Sequence, residues 1–348
     1  MKQSFTDILG NDNIKNLLRL SLINNRLHHA YIFYGLKGCG KKLLANNFAK
    51  AILCKNLKTK NKNVYVCDGC ISCKSFKQKD PQKDSIEIAV NNPNIVYIHP
   101  QKMSQNGLGV EQVRKEIIEE ANKPPFDNRY RIFIINNAQL MSVTAQNTLL
   151  KTLEDAPNNI IFLLLCQNIN ALLPTVLSRC ININIKPLTN CIINDYLIKN
   201  INILPDIAEF VTHFAKGSIG QAKSLVEDEE FINLRLFVLN TICNINDIQL
   251  HQVFELARQL EAKKENIQDI LDIFILFYRD VLIYIKSGNT NNILQKDILK
   301  NIINFAGNSN ANDVLNKSHQ IEEARKYLKS NSNFSLIMEV LMLNLANF

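Results

Sequence analysis

Residues Ala30–Tyr34, AYIFY, run directly into Gly35-Leu36-Lys37-Gly38-Cys39-Gly40-Lys41-Lys42, and apolar residues at helical spacing follow over 43–53. A short apolar run closed by glycine reads as a buried strand. The order is therefore strand, glycine-rich loop, helix, and few folds accommodate it. The loop fits the pattern G-x-x-x-x-G-K-[ST] at Gly35, Gly40 and Lys41, with Gly38 as a further glycine inside it. Glycines let backbone N–H groups face a phosphate, and the helix N-terminus adds positive potential. Lys41 would reach the β- and γ-phosphates of a nucleotide. A glycine-rich turn without a ligand could have the same composition, but the strand–loop–helix context favours a phosphate-binding loop.

The next 150 residues keep the alternation. Strand-like runs lie at Ile95–Ile98, Arg131–Ile135, 160–165 and 180–185. Helical spacing marks 14–23, 110–121, 145–153 and 172–177, the third ending at Ala156-Pro157. Apolar strands separated by helices predict a parallel sheet covered on both faces. Beyond Lys186-Pro187-Leu188 the strand pattern stops and helical periods dominate to residue 348. A chain of this length suggests two or three domains. We read an α/β domain over 1–186, a small helical domain over 187–228 and a larger helical bundle over 229–348.

Composition is that of an ordinary globular protein, with 46% apolar and 21% charged residues, which excludes wholesale disorder. The longest apolar candidate, near 270–285, is interrupted by Asp272, Arg279 and Asp280, so it does not read as a membrane span. The opening MKQSFTDILG lacks the apolar core of a signal peptide, and a cytoplasmic location is expected. The net charge of +8 suits work near nucleic acid, but a lysine- and asparagine-rich composition accounts for much of it.

Two positions argue against hydrolysis. The phosphate-loop pattern ends in Ser or Thr because that hydroxyl binds Mg²⁺; here the residue is Lys42. An acidic pair should follow the strand RIFII to hold the metal and polarise water, yet Asn136-Asn137 stand there. Neither amide acts as a base. Nucleotide binding without turnover remains compatible with the loop.

Four of the nine cysteines cluster as Cys54-x12-Cys67-x2-Cys70-x2-Cys73. Four thiolates at this spacing in an unexported chain suit a closed tetrahedral zinc site, structural because no position is left for water. A redox pair or unpaired buried thiols are the alternatives. Arg179, in Leu173-Pro174-Thr175-Val176-Leu177-Ser178-Arg179-Cys180, stands apart from any acidic run. It is either a finger for a neighbouring subunit's γ-phosphate or a surface arginine paired with a carboxylate. Spacing alone favours the second.

HHAYIFYGLKGCGKK, the four-cysteine insertion, AQNTLLKTLEDAP, LLPTVLSRC and GSIGQA follow in this order. As a set they resemble a bacterial clamp-loader subunit of the AAA+ class, over residues 5 to about 223; the remainder matches as a helical collar would. The resemblance implies an α/β AAA+ P-loop domain with a parallel sheet and a four-cysteine zinc insertion at 54–73. A small helical lid domain and a C-terminal all-helical collar domain follow. The family's motor type, gamma/tau, keeps the hydroxyl, the acidic pair and a sensor arginine. This chain has Lys42, Asn136-Asn137 and Gly220 there, and so resembles the family's non-catalytic type. By the same resemblance, Arg179 would be a finger acting in trans, and Cys54, Cys67, Cys70 and Cys73 would hold zinc. Two positions depart from the family: His-Pro-Asp is Asn92-Pro93-Asn94, and a sensor Thr or Ser is Cys166-Gln167.

The implied role is a non-hydrolysing subunit of the DNA polymerase III clamp loader. Its partners would be gamma/tau and delta subunits, the sliding clamp and, through the complex, primer–template DNA. The rival readings are a diverged ATP-hydrolysing gamma/tau-like motor, which ATPase turnover of the isolated chain would reveal, and a zinc-containing nucleic-acid binder, which salt-dependent DNA affinity would reveal.

Overall fold

The computed structural model describes residues 2–76, 92–100, 107–126, 129–155, 159–245, 248–330 and 333–346. The expected helix stop at Ala156-Pro157 lies outside them. By contacts the chain divides into two compact units, Met1–Ile192 with Ser218–Gly220, and Ile193–Gly217 with Gln221–Phe348. The three-part division at 186 and 228 is a functional reading and is taken up below.

In chain order the first unit contains β1 (Lys2–Gln3), α1 (Asp12–Ile23), β2 (Ala30–Tyr34), α2 (Lys41–Leu53), β3 (Lys58–Lys60), β4 (Asn63–Val66), α3 (Ile71–Lys74) and β5 (Ile95–Ile98). Next come α4 (Val110–Gln112), running through a π-helical stretch, Val113–Ile118, into α5 (Glu119–Ala121). β6 (Arg131–Ile135), α6 (Val143–Glu154), β7 (Ile160–Cys166), α7 (Pro174–Leu177), β8 (Ile181–Asn184) and α8 (Asn190–Tyr196) complete it, the last crossing the unit boundary. The five expected strands form one sheet in the order β5-β6-β7-β2-β8, and every pair is parallel.

Alternate residues of the strands supply two cores. Tyr31, Phe33, Ile132, Ile134, Leu163 and Leu165 pack with Leu18 of α1 and with Leu44 and Phe48 of α2. Ile32, Phe133, Ile135, Phe162 and Leu164 pack on the opposite face with Val113, Ile117, Leu149 and Leu153. Both faces are dry, which is why the strands read as unbroken apolar runs. Phe162 is fully buried and lies 5.2 Å, centroid to centroid, from Phe133. Phe162→Ala should destabilise the unit by about 3–5 kcal/mol, read from urea unfolding followed by circular dichroism.

The cysteine-rich stretch is more ordered than a loop. β1, β4 and β3 make a small antiparallel sheet, so the N-terminus is tied to residues 58–66. Ser4 reinforces the join, its N–H donating to Val64 O at 2.8 Å and its hydroxyl to the same oxygen at 2.9 Å.

The second unit is helical. After α8 and a π-helical turn, Leu197–Ile201, come α9 (Pro205–Phe214), α10 (Ile219–Glu227), α11 (Glu229–Cys243), α12 (Leu250–Glu261), α13 (Ile267–Ser287), α14 (Leu299–Gly307), α15 (Ala311–Lys329) and α16 (Phe334–Leu345). α13 packs against α11, α14 and α15, and α12 against α16. The charges that interrupt the apolar run of α13 have partners. Asp272 pairs with Lys216 at 2.6 Å and Arg325 at 2.7 Å. Asp280, fully buried, pairs with Arg279 at 2.7 Å and accepts the N–H groups of Leu294 and Gln295. Among the described residues no helix is long and apolar enough to cross a membrane.

Candidate functional site

The C-terminal ends of β2, β6 and β7 carry the residues singled out in the sequence, as expected for a ligand crevice of an α/β sheet. Gly40 caps α2 at φ 93°, a left-handed backbone that a side chain resists. Lys41 turns back into its own loop. Its Nζ donates to the carbonyls of Gly35 at 2.8 Å and Leu36 at 2.7 Å, and lies 3.8 Å from the Cys39 sulfur. A phosphate loop grips with N–H groups and this ammonium. Here the loop's own carbonyls engage it.

Ser218–Gly220, which belongs to the same compact unit, sits against the loop. The Ser218 hydroxyl donates to Lys37 O at 2.7 Å, and the Gly220 N–H donates to Gly38 O at 3.0 Å. A Cβ at 220 would come within 2.8 Å of Gly38 O and 2.9 Å of Gly38 Cα. Gly220 thus permits a backbone approach that a longer residue would prevent.

At the end of β6, neutral amides form a chain where carboxylates would hold a metal. The Asn137 N–H donates to Asn136 Oδ1 at 3.2 Å, Gln139 Nε2 to Asn137 Oδ1 at 3.4 Å, and the Gln167 N–H to Gln139 Oε1 at 3.2 Å. Asn136 Nδ2 lies 3.5 Å from His99 Nδ1. Cys166, buried at the end of β7, has its thiol pushed up to about 11 by burial and offers no ionised group. Lys42 occupies the second position of α2.

The four cysteines converge. The sulfurs of Cys54, Cys67, Cys70 and Cys73 all lie within 4.8 Å of one another, and Cys67 and Cys73 are 3.9 Å apart. Tetrahedral zinc with Zn–S of ~2.3 Å sets sulfurs about 3.8 Å apart. The cluster therefore needs a contraction of no more than about 1 Å to close on zinc. Cys54 ends α2, Cys67 follows β4, and Cys70 and Cys73 flank the start of α3. The N–H groups of Cys67, Cys70 and Cys73 each donate at 3.4 Å to the sulfur of the preceding cysteine in the set. Such donors favour thiolates. They bring the Cys67 thiol down to about 6, whereas burial pushes Cys54 and Cys73 up. A bound cation would offset the burial that raises Cys54 and Cys73.

Asn92 and Asn94, noted as departures from the family, are buried, and Asn92 ties this module to the segment that enters β5. Asn92 Nδ2 donates to the hydroxyls of Ser72 at 2.9 Å and Ser75 at 3.0 Å, and Asn94 Oδ1 accepts from the Phe126 N–H at 2.8 Å. Lys58 and Lys60 lie exposed on β3.

Arg179 follows α7 and is not without a local partner. Its Nη2 pairs with Glu154 Oε1 at 2.5 Å, and its Nη1 donates to Thr175 O at 2.9 Å. Nothing in the sequence pattern joins these positions, which lie 25 residues apart (179 − 154) and on different elements. The buried Gln146 links the two elements that carry them. It donates to Met141 O at 3.1 Å and Ala171 O at 3.2 Å and accepts from the Leu173 N–H at 2.7 Å, so α6 is fixed to the segment leading into α7.

A family model described as "DNA polymerase III, delta subunit" matches residues 10–189, more than half of the chain, and one described as "DNA polymerase III, delta subunit, C terminal" matches 229–347. Bacillus subtilis DNA polymerase III subunit delta' is 29% identical over 336 residues, 95% of each chain. The tau subunit of the same organism is 26% identical over 346 residues, and this chain spans 58% of its length. A Thermotoga maritima DNA polymerase III gamma subunit-related protein aligns over 96% of this chain and 98% of its own at 13% identity with a TM-score of 0.43, too low to argue from. Matches to both halves, and similarity along nearly its whole length to a delta-prime protein, place the chain in the DNA polymerase III delta-subunit family.

Proposed function

We propose that the chain is the non-hydrolysing, delta-prime-like subunit of a DNA polymerase III clamp loader. It helps load the sliding clamp on primer–template DNA in the cytoplasm, in a ring with gamma/tau and delta subunits. Residues 1–186 serve as the AAA+ domain, 187–228 as its lid and 229–348 as the collar. The observation that carries this reading is the phosphate loop: its glycine scaffold is present, but Ser218 and Gly220 bond to its backbone carbonyls at Lys37 and Gly38. The chemistry that would follow ATP binding is missing as well, with Lys42 for the metal hydroxyl and Asn136-Asn137 for the carboxylates.

The role of the chain is then to complete a neighbour's site. Arg179 provides a planar, permanently charged fork suited to a γ-phosphate in a motor subunit. Cys54, Cys67, Cys70 and Cys73 hold a structural zinc, whose charge stabilises four thiolates and fixes the end of α2 against β4 and α3. Reconstitution with motor and delta subunits and a clamp, followed by ATP hydrolysis and clamp loading, tests the assignment. Omitting this chain should abolish loading.

The isolated chain should show no ATPase activity. Phosphate release above background that disappears in a Lys41→Ala variant would instead establish the motor reading.

A further inference from the structure

We propose that Glu154 is a parking site for Arg179, which holds the guanidinium inside its own subunit and competes with the neighbour's γ-phosphate for it. This rests on the trans-finger reading above. The geometry is that of a latch rather than a structural ion pair. Glu154 is the last residue of α6, and Arg179 follows α7. Their side chains are 45% and 35% exposed, so both ends reach solvent. The backbone beneath them is fixed. Gln146 bonds α6 to Ala171 and Leu173.

Charge decides the direction of the exchange. A half-exposed ion pair biases a conformation by at most about fivefold. A triphosphate offers several anionic oxygens and bidentate geometry, and draws an arginine more strongly than one carboxylate does. Arg179 therefore leaves Glu154 when a neighbour presents bound nucleotide and returns when the nucleotide is lost. Thr175 O, at 2.9 Å from Nη1, steadies the parked arrangement without adding a charge that would need to be overcome.

The test uses the reconstituted complex with wild-type, Glu154→Gln, Arg179→Ala and doubly substituted subunits, and reads ATP dependence of hydrolysis. Glu154→Gln keeps the side-chain size and removes the charge. At the one site this chain completes, read by single-site turnover, it should lower the KM for ATP by about two- to fivefold, with kcat unchanged. The same substitution on the Arg179→Ala background should change nothing. A rise in KM, or a fall in kcat, would mean that Glu154 orients the finger for catalysis, and would overturn the proposal. An unchanged KM overturns it as well. If Arg179→Ala alone leaves hydrolysis unaffected, the finger reading fails and the parking role falls with it. If Arg179→Ala lowers hydrolysis and Glu154→Gln is silent, only the parking role fails. Thermal unfolding of the free Glu154→Gln chain within about 2–3 °C of wild type, the effect expected for an exposed pair, separates these results from misfolding.

Discussion

A clamp loader assembled with Arg179→Ala should hydrolyse ATP more slowly at one site while this subunit stays folded. An arginine finger contributes about 10³–10⁵ in rate at the site it completes. A ring holds several motor sites, so total turnover falls by a fraction, and clamp loading falls further because the sites act together. The intramolecular ion pair does not account for such a loss. The Arg179–Glu154 pair is half-exposed, and such pairs contribute about 0–1 kcal/mol to stability. Losing it therefore leaves the melting temperature of the free chain nearly unchanged. Arg179→Lys should recover only part of the rate, since lysine lacks the planar fork. Single-site turnover and loading measured on wild-type, Ala and Lys complexes check this. Normal rates in the Ala complex would falsify the trans role and leave Arg179 as a surface residue.

Removing the zinc proposed for the four cysteines should give the largest structural effect. Binding of zinc to four thiolates amounts to about 10–16 kcal/mol in zinc-finger peptides, and that energy is also folding energy. The purified chain should contain about one zinc. Chelation, or Cys73→Ser, should release it and loosen the module built from β1, β3, β4 and α3. Protease cleavage between residues 54 and 76 should then precede loss of the sheet, whose core on the α6 side is formed without these cysteines. The join to the N-terminus should weaken too, because Lys2 and Gln3 pair with Val66 and Tyr65, next to Cys67. Elemental analysis, thiol titration and limited proteolysis read these outcomes. A metal-free chain with four freely reactive thiols would remove zinc from the account.

The central sheet was legible because its strands are buried on both faces. AYIFY, RIFII and the run from 160 are apolar throughout most of their length, and glycine, proline or asparagine lies close to each of them, so their positions follow from local composition alone. The phosphate loop and its defects are equally local: the spacing of Gly35, Gly40 and Lys41, the lysine at 42 and the amides at 136 and 137 need no partner to be recognised. The cysteines are close in sequence, and a short loop brings Cys67, Cys70 and Cys73 together at little entropic cost. The antiparallel sheet around them was missed for the opposite reason. β1 is two residues long and β3 three, too short for any period to register, and β1 finds its partner about 60 residues away.

What the sequence determined by itself is therefore the class of the fold, the departures of Lys42 and Asn136-Asn137 from the phosphate-loop and acidic patterns and the set of candidate metal ligands, all of which depend on neighbouring residues. What only the tertiary structure decided is how those parts are engaged. It set Ser218 and Gly220 against a loop about 180 residues earlier, turned Lys41 onto the carbonyls of Gly35 and Leu36, and gave Arg179 a carboxylate from another helix. It also joined Asn92, just before β5, to Ser72 of α3 and to Ser75, and Asn94 to the Phe126 N–H. These are polar contacts, most of them between segments distant in sequence. A lone serine, amide or carboxylate has no periodicity to reveal its partner, and the partner is chosen only when packing of the apolar cores brings the two backbones within hydrogen-bonding reach.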